Sequence, residues 1–344
     1  MKILLLMTGG TICTRVNPRG HLSSDTGAAV PVLVDHLKKN GFPGAKFDVL
    51  PVLDTLSENM TFAKLNTLLD AFRTAKSRVE ASDGVIIAHG TDTLAYTSSL
   101  LSLALAGYTE KPIFLVSSDK TLSDETANGH ANFKAAAELI ARGFGAGVYV
   151  PYRNADGVLY LHHGAHLLQC ANFTADFYSR DMVPYTEAKP YAVQAEAPML
   201  DALTRLDDCV MKIEPYVGLD YAAYGLPEHI RAVLHGSYHS ATACVERTAP
   251  GKAYSSRSVF YLAKRCKQLG VDVFLSPLRE AQRADLAGSY DTVAAMLEGG
   301  MQPVFSLTNE TAYMKLALAY SLGYEREEVG LFLDREVASE KLDY

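Results

Sequence analysis

Three short segments of this chain carry side chains suited to covalent chemistry on a small polar molecule: Thr8-Gly9-Gly10-Thr11-Ile12, Thr55-Leu56-Ser57-Glu58-Asn59-Met60 and His89-Gly90-Thr91-Asp92-Thr93. Thr11 and Thr91 offer hydroxyls, and an aliphatic hydroxyl becomes a useful nucleophile only when a partner removes its proton. Asp92, beside Thr91, is suited to orienting such a partner or to holding a substrate ammonium group. Gly10 and Gly90 let the backbone approach a ligand closely. The His89 segment opens a helix, whose N-terminal amides favour a carboxylate or an oxyanion developing on a carbonyl. Taken singly, each segment has an ordinary explanation. Thr8–Thr11 reads as a tight βα turn, Asp92 and Thr93 as a helix cap, and Ser57-Glu58 as a surface loop. Three of them after successive strands point to one shared crevice.

The elements that must position these segments are legible as alternating apolar runs and helical periodicity. Lys2–Met7, Phe47–Leu53, Gly84–Ala88, Ile113–Ser117 and Val148–Tyr152 read as strands. The spacing predicts helices over Thr61–Ala81, Leu94–Ala106 and Asn132–Arg142. Thr61 is a candidate cap, although Lys64 stands where a capping box has Glu or Gln. Alternation of this kind implies parallel βαβ units, and parallel strands covered on both faces read as unbroken apolar runs. Ligands in such sheets bind outside the carboxyl ends of the strands, where all three segments fall. Composition changes over 181–200, where three prolines and few periodic apolar residues predict an inter-domain linker, placed at 186–205. Beyond it the alternation resumes, with strands at Ile230–Leu234 and Val271–Leu275 and helices at Arg257–Leu269, Asp291–Leu297 and Thr311–Leu322. The expected architecture is α/β: a larger, mostly parallel-sheet N-terminal domain over 1–185 and a smaller α/β domain over 206–344.

Composition narrows the class of function. The chain has 344 residues, 48% of them hydrophobic, and a formal net charge of −7. A mildly acidic chain without a basic stripe is a poor nucleic-acid binder and a poor ligand for an anionic membrane. Its apolar N-terminal run stops after five residues at Thr8, short of the roughly 7–15 of a secretory segment, and no run approaches the ~20 of a membrane span. The five cysteines include no close Cys-x-x-Cys pair, so reduced, mostly buried thiols in a cytoplasmic protein are expected. His162-His163-x-x-His166 has a spacing that two metal-bound imidazoles could use. It contains Gly164 and has no carboxylate nearby, so no metal is expected there. The tyrosines over Tyr313–Tyr324 read as core or subunit contacts rather than a binding box.

Together these segments resemble the L-asparaginase/glutaminase family, particularly its cytoplasmic type I branch. The family's TGGTI motif is complete at Thr8–Ile12 and its HGTDT motif at His89–Thr93. Ser57-Glu58-Asn59-Met60 is similar to the family's substrate-binding segment, with Glu58 where many members have Gln. Lys111–Ser118, Asn128-Gly129 and Asn132 also fit, and weaker similarity runs through Val271–Leu322.

The resemblance implies hydrolysis of the side-chain amide of L-asparagine, with L-glutamine as a further substrate, and no metal or organic cofactor. It implies Thr11 as the nucleophile or the hydroxyl flanking the scissile amide, Thr91 as the second catalytic threonine, and Asp92 beside it. Asp92 and Glu58 would hold the substrate's α-amino group and Ser57 its α-carboxylate, with Gly10 and Gly90 lining the substrate. It also implies a homodimer or homotetramer with a small amino acid as its ligand.

The departures concern proton transfer. His21 stands ten positions after Thr11, where the family has a lid tyrosine, and Leu168 or Gln169 falls at its lysine. Ser237–Thr242 replaces the glycine-asparagine pair that the family lends to a neighbouring subunit. His21 as a base and Lys120 as a replacement cation reaching Thr91 are the expected substitutes. An amino-acid-binding regulatory protein without turnover, and an amidase for another amide, including an ammonia-generating subunit of a larger complex, are the alternative readings.

Overall fold

The computed structural model of the chain describes residues 1–16, 19–193, 197–284 and 290–342. It divides into two compact units. Unit 1 is Met1–Thr204 with Val337–Glu340, and unit 2 is Arg205–Glu336 with the residues from Lys341 onward.

Unit 1 is built on a six-stranded sheet. Its strands are β1 (Lys2–Gly9), β4 (Lys46–Thr55), β5 (Gly84–Ala88), β6 (Pro112–Val116), β7 (Gly147–Arg153) and β8 (Leu159–His163), in the order β4-β1-β5-β6-β7-β8. All neighbours are parallel except the edge pair β7–β8. A short antiparallel hairpin of β2 (Thr14–Val16) and β3 (Leu22–Ser24) follows β1. The helices are α1 (Thr26–Lys39), α2 (Phe62–Thr74), α3 (Lys76–Glu80), α4 (Leu94–Ala104), α5 (Gly129–Ala141) and the single turn α6 (Met199–Ala202). Every residue of β5 and β6 is buried, as the unbroken apolar runs require of strands covered on both faces. On one face Ile3, Leu5, Met7 and Ile86 pack with Leu33 and Leu37 of α1 and Phe133 and Ile140 of α5.

The strand order decides where a ligand can enter. The chain runs from β1 to β4 on one side, then returns to β5 on the other side of β1. That reversal opens a crevice between the carboxyl ends of β1 and β5.

The expected helix over Thr61–Ala81 is interrupted at Ala75, with no glycine or proline to account for it. The cause is tertiary: the Tyr108 hydroxyl donates to the Phe72 carbonyl at 2.6 Å, the group that an uninterrupted helix would offer to the amide of Lys76. Thr61 does cap α2, accepting from the Lys64 amide.

Of the proline-bearing stretch 186–205, residues 194–196 lie outside the described residues. Residues 186–193 and 197–204 belong to unit 1. Tyr191 stacks with Tyr149 and meets His163 edge-on, and Arg73 donates to the carbonyls of Leu200 and Leu203.

Unit 2 holds a four-stranded parallel sheet of β9 (Val210–Ile213), β10 (Ala232–Gly236), β11 (Asp272–Leu278) and β12 (Gln302–Phe305), in the order β12-β11-β10-β9. Its helices are α7 (Val259–Leu269), α8 (Glu280–Ala284), α9 (Asp291–Glu298), α10 (Asn309–Ser321) and α11 (Arg326–Asp334). Val233 and Leu275 share a core with Leu262 of α7 and Met296 of α9. α7 ends at Gly270, whose φ of 70° places it in the left-handed region where a helix commonly stops. The fold is therefore α/β with mostly parallel sheets, the larger one in the N-terminal part of the chain. Among the described residues, no helix is long and apolar enough to cross a membrane.

Candidate active site

The three segments singled out in the sequence meet at the β1–β5 crevice. Gly10 follows β1 with φ 80° and ψ −178°, a conformation essentially reserved for glycine. A β-carbon on Gly10 would lie 2.2 Å from both the Cα and the N of Gly90. A β-carbon on Gly90 would lie 2.4 Å from the Ser57 hydroxyl. The two glycines thus let three backbones touch, and Thr11 and Thr91 are the residues that follow this contact. Both threonines are half-buried, so their surroundings are neither sealed nor open.

Hydrogen bonds tie the Ser57 and His89 segments into one unit. The Ser57 hydroxyl donates to Asp92 Oδ2 at 3.1 Å and accepts from the Asp92 amide at 3.1 Å. The Thr93 hydroxyl donates to the Ser57 carbonyl at 3.0 Å. Ser57 is only 3% exposed, whereas Asp92 and Glu58 are exposed. Ser57 therefore orients the Asp92 carboxylate directly, and a substrate carboxylate would have to share its hydroxyl. From the β1 side, the Gly10 amide donates to the Thr55 carbonyl at 2.9 Å. The Thr14 hydroxyl returns to the Gly10 carbonyl at 2.9 Å.

Two neighbouring groups are silenced by burial. The Cys13 thiol, two residues from Thr11, is pushed up to about 12, mainly by burial, so it stays protonated and is no competing nucleophile. His89 is fully buried and its pKa is lowered to about 4 by desolvation. Its Nδ1 lies 2.8 Å from the Gly90 carbonyl, which can only accept, so Nδ1 carries the proton of a neutral ring. His89 thus braces Gly90 and supplies no positive charge.

The residues proposed to replace the proton-transfer groups are placed differently from one another. His21 is exposed at the turn of the β2–β3 hairpin, just before Leu22, which pairs with Val16. The Lys120 ammonium meets the Thr126 hydroxyl at 2.6 Å and Asp124 at 3.8 Å, within its own loop. Leu168 is 44% exposed, and no cation stands at that position.

The three histidines of His162–His166 go to core partners. His162 Nδ1 meets the Ser179 hydroxyl at 2.8 Å, His163 Nδ1 accepts from the Ala165 amide, and His166 Nε2 donates to the Ser339 carbonyl at 2.7 Å.

Sequence reasoning gave no role to Lys64 or, beyond its fit to the family pattern, to Asn132. Lys64 reaches back from α2 to the Thr55 hydroxyl and the Asn59 carbonyl, both at 2.8 Å, and so clamps the turn that carries Ser57 and Glu58. The only trace in the sequence was its occurrence where a capping box would have Glu or Gln. Asn132 joins the Ser117 carbonyl, at 3.0 Å, to the Arg153 amide, at 2.9 Å, fixing the ends of β6 and β7 together.

The fold and this glycine-mediated meeting of three loops define an α/β enzyme scaffold with its site at the switch point of a parallel sheet. Residues 2–194 match the family model "Asparaginase, N-terminal", which covers more than half of the chain. The chain belongs to the asparaginase family. The L-asparaginase of Thermococcus kodakarensis is 26% identical over 347 residues, covering 99% of each chain. A glutamyl-tRNA(Gln) amidotransferase subunit from Pyrobaculum aerophilum is 28% identical over 352 residues, covering 98% of this chain and 79% of that protein. Among solved structures, the thermostable L-asparaginase of T. kodakarensis superposes with a TM-score of 0.74 at 20% identity, covering both chains in full. L-asparaginase I of Vibrio cholerae gives 0.70 at 20% identity, covering 99% of this chain and 98% of that one. The protein is an asparaginase-family hydrolase.

Proposed function

We propose that the chain hydrolyses the side-chain amide of L-asparagine to L-aspartate and ammonia, with L-glutamine as a second substrate. The observation that carries this reading is the contact of Gly10 with Gly90 and of Gly90 with Ser57, which brings the backbone segments preceding Thr11 and Thr91 together beside an aspartate oriented by Ser57. In this reading the Thr11 oxygen adds to the amide carbonyl and ammonia leaves carrying the proton. Water then cleaves the resulting ester, releasing aspartate and restoring the hydroxyl. Thr91 and Asp92 handle the proton, with His21 on the adjoining hairpin as a further base. Exposed Glu58 and Asp92 are the carboxylates available to a substrate ammonium group, and Ser57 meets its carboxylate. A small polar amino acid offers little apolar area, so charged hydrogen bonds of this kind must carry its recognition.

A second reading is favoured by the relatives named as glutamyl-tRNA(Gln) amidotransferase subunits: ammonia made here is passed to a partner protein. The chain spans 98% of its own length against the P. aerophilum relative but only 79% of that protein's, whereas it matches an L-asparaginase end to end. We take the free enzyme, as a homodimer or homotetramer, as the first reading.

The test is ammonia release by the purified chain from L-asparagine, L-glutamine and a panel of other amides, beside calorimetric binding of L-aspartate. Release from L-asparagine that falls at least about 1,000-fold in Thr11→Ala supports the proposal. Aspartate binding with no release from any amide replaces it with a regulatory binder, and release from other amides alone replaces the substrate.

A further inference from the structure

We propose that a polar cavity bounded by Asp119, Arg153 and Asp176 in unit 1 is a second binding site, for an amino-acid zwitterion. It lies at the carboxyl ends of β6 and β7, is half open to solvent and has a volume of about 340 Å3. That is within the roughly 300–1,000 Å3 of small-molecule pockets. The inference goes beyond the proposed hydrolysis and does not depend on it.

The argument is the arrangement of charge. Arg153 and the two aspartates line the same cavity, and among the described residues no ion pair joins Arg153 to either aspartate, while Asp176 Oδ2 accepts from the Tyr178 hydroxyl at 3.5 Å. Each is restrained by backbone instead. Arg153 donates through Nη2 to the Thr126 and Ala127 carbonyls at 3.1 and 3.4 Å. Asp119 accepts from the Asn128 amide at 2.9 Å, and Asp176 from the Ala155 amide at 2.7 Å. The walls are stiffened by two asparagines. Asn128 accepts from the Asp119 amide and donates to the Arg153 carbonyl, both at 2.9 Å, and Asn154 bonds the Phe177 carbonyl and amide at 2.8 and 3.0 Å.

Opposite charges on one cavity that do not neutralise each other are complementary to a ligand bearing both. The guanidinium suits a carboxylate and the aspartates an ammonium group. A simple anion would meet the two aspartates, and a simple cation the arginine. Because the charges are already held in place, little ordering cost is left for binding.

The test uses the full chain and glycine, the smallest zwitterion, in equilibrium dialysis, with acetate and methylammonium as single-charge controls. Glycine is expected to bind at least about tenfold more tightly than either control. Arg153→Met and Asp119→Asn should each weaken glycine at least about tenfold, and Arg153→Lys should restore part of the loss. Asp119→Asn keeps the bond to the Asn128 amide and so reports on charge rather than on folding. Asp92→Asn, at the catalytic crevice, should leave glycine binding at this cavity in place. No glycine binding, acetate bound as well as glycine, or glycine binding indifferent to both Arg153→Met and Asp119→Asn overturns the proposal. Failure of the chain to release ammonia would sink the hydrolase reading and leave this result unaffected.

Discussion

The contact between Gly10 and Gly90 makes a quantitative prediction, because an added methyl group at Gly10 has nowhere to go. Carbon atoms rest at about 3.5–4.0 Å, so a β-carbon placed 2.2 Å from Gly90 Cα and N forces the two loops apart by roughly 1.5 Å. Overpacking of this kind costs about 1–3 kcal/mol. Holding a residue other than glycine at φ 80°, ψ −178° adds about 1–3 kcal/mol. Gly10→Ala should therefore lose roughly 2–6 kcal/mol, a large part of the ~5–15 kcal/mol available to a folded domain. Gly143→Ala is the control. Gly143 has φ 69° with nothing within 4 Å of an added β-carbon, so only the backbone term of about 1–2 kcal/mol applies. Displacing catalytic groups by ~1 Å costs about 100-fold in rate. Urea unfolding and ammonia release should be measured on both variants, below the unfolding transition. The reasoning fails if the two variants lose equal stability, or if Gly10→Ala keeps activity within about twofold of the parent.

Lys64→Met releases the clamp on the Ser57–Asn59 turn and should raise KM about tenfold while kcat changes little, whereas Lys64→Arg should preserve part of the effect; an unchanged KM in the methionine variant removes Lys64 from substrate positioning. His162 is buried with its pKa lowered from 6.5 to about 4, so below pH 6.5 the unfolded chain takes up a proton that the folded one refuses. Its contribution is complete above pH 6.5 and is lost as pH falls toward 4, by up to about 3 kcal/mol. The urea midpoint should drop over that window, and His162→Asn should flatten the drop; equal slopes for parent and variant would contradict this. In unit 2, fully buried Lys315 donates to the Leu333 and Arg335 carbonyls at the end of α11. Lys315→Met should cost about 2–4 kcal/mol by leaving those carbonyls unpaired, and a thermal melt unmoved by the change would show that they find other donors.

Much of the fold was legible because its signals are local. β5 is read from the sequence to the residue, since five buried apolar residues are flanked by a turn and a glycine-bearing loop. α7 is legible from its periodicity and from the glycine that ends it. α1 was not read, for equally local reasons. Pro31 lies inside it and the surrounding Val30, Val32 and Val34 favour a strand, yet Ala29, Leu33 and Leu37 are buried along one side. Packing of that side overrides the propensity. The break at Ala75 belongs to the same class, because Tyr108 lies far along the chain from the carbonyl it takes.

At the site the division is similar. Residue types and spacing alone marked Thr11, Ser57, Glu58, Thr91 and Asp92, since glycine-flanked hydroxyls and carboxylates after successive strands are a pattern in one dimension. That β1 lies between β4 and β5, that Gly10 touches Gly90, that Ser57 is bonded to Asp92 and that Lys64 reaches back to the Thr55 hydroxyl are tertiary facts. No local signal encodes them. Strand order and the reach of a lysine depend on which distant groups offer burial or a hydrogen bond, and those partners exist only once the sheet has formed.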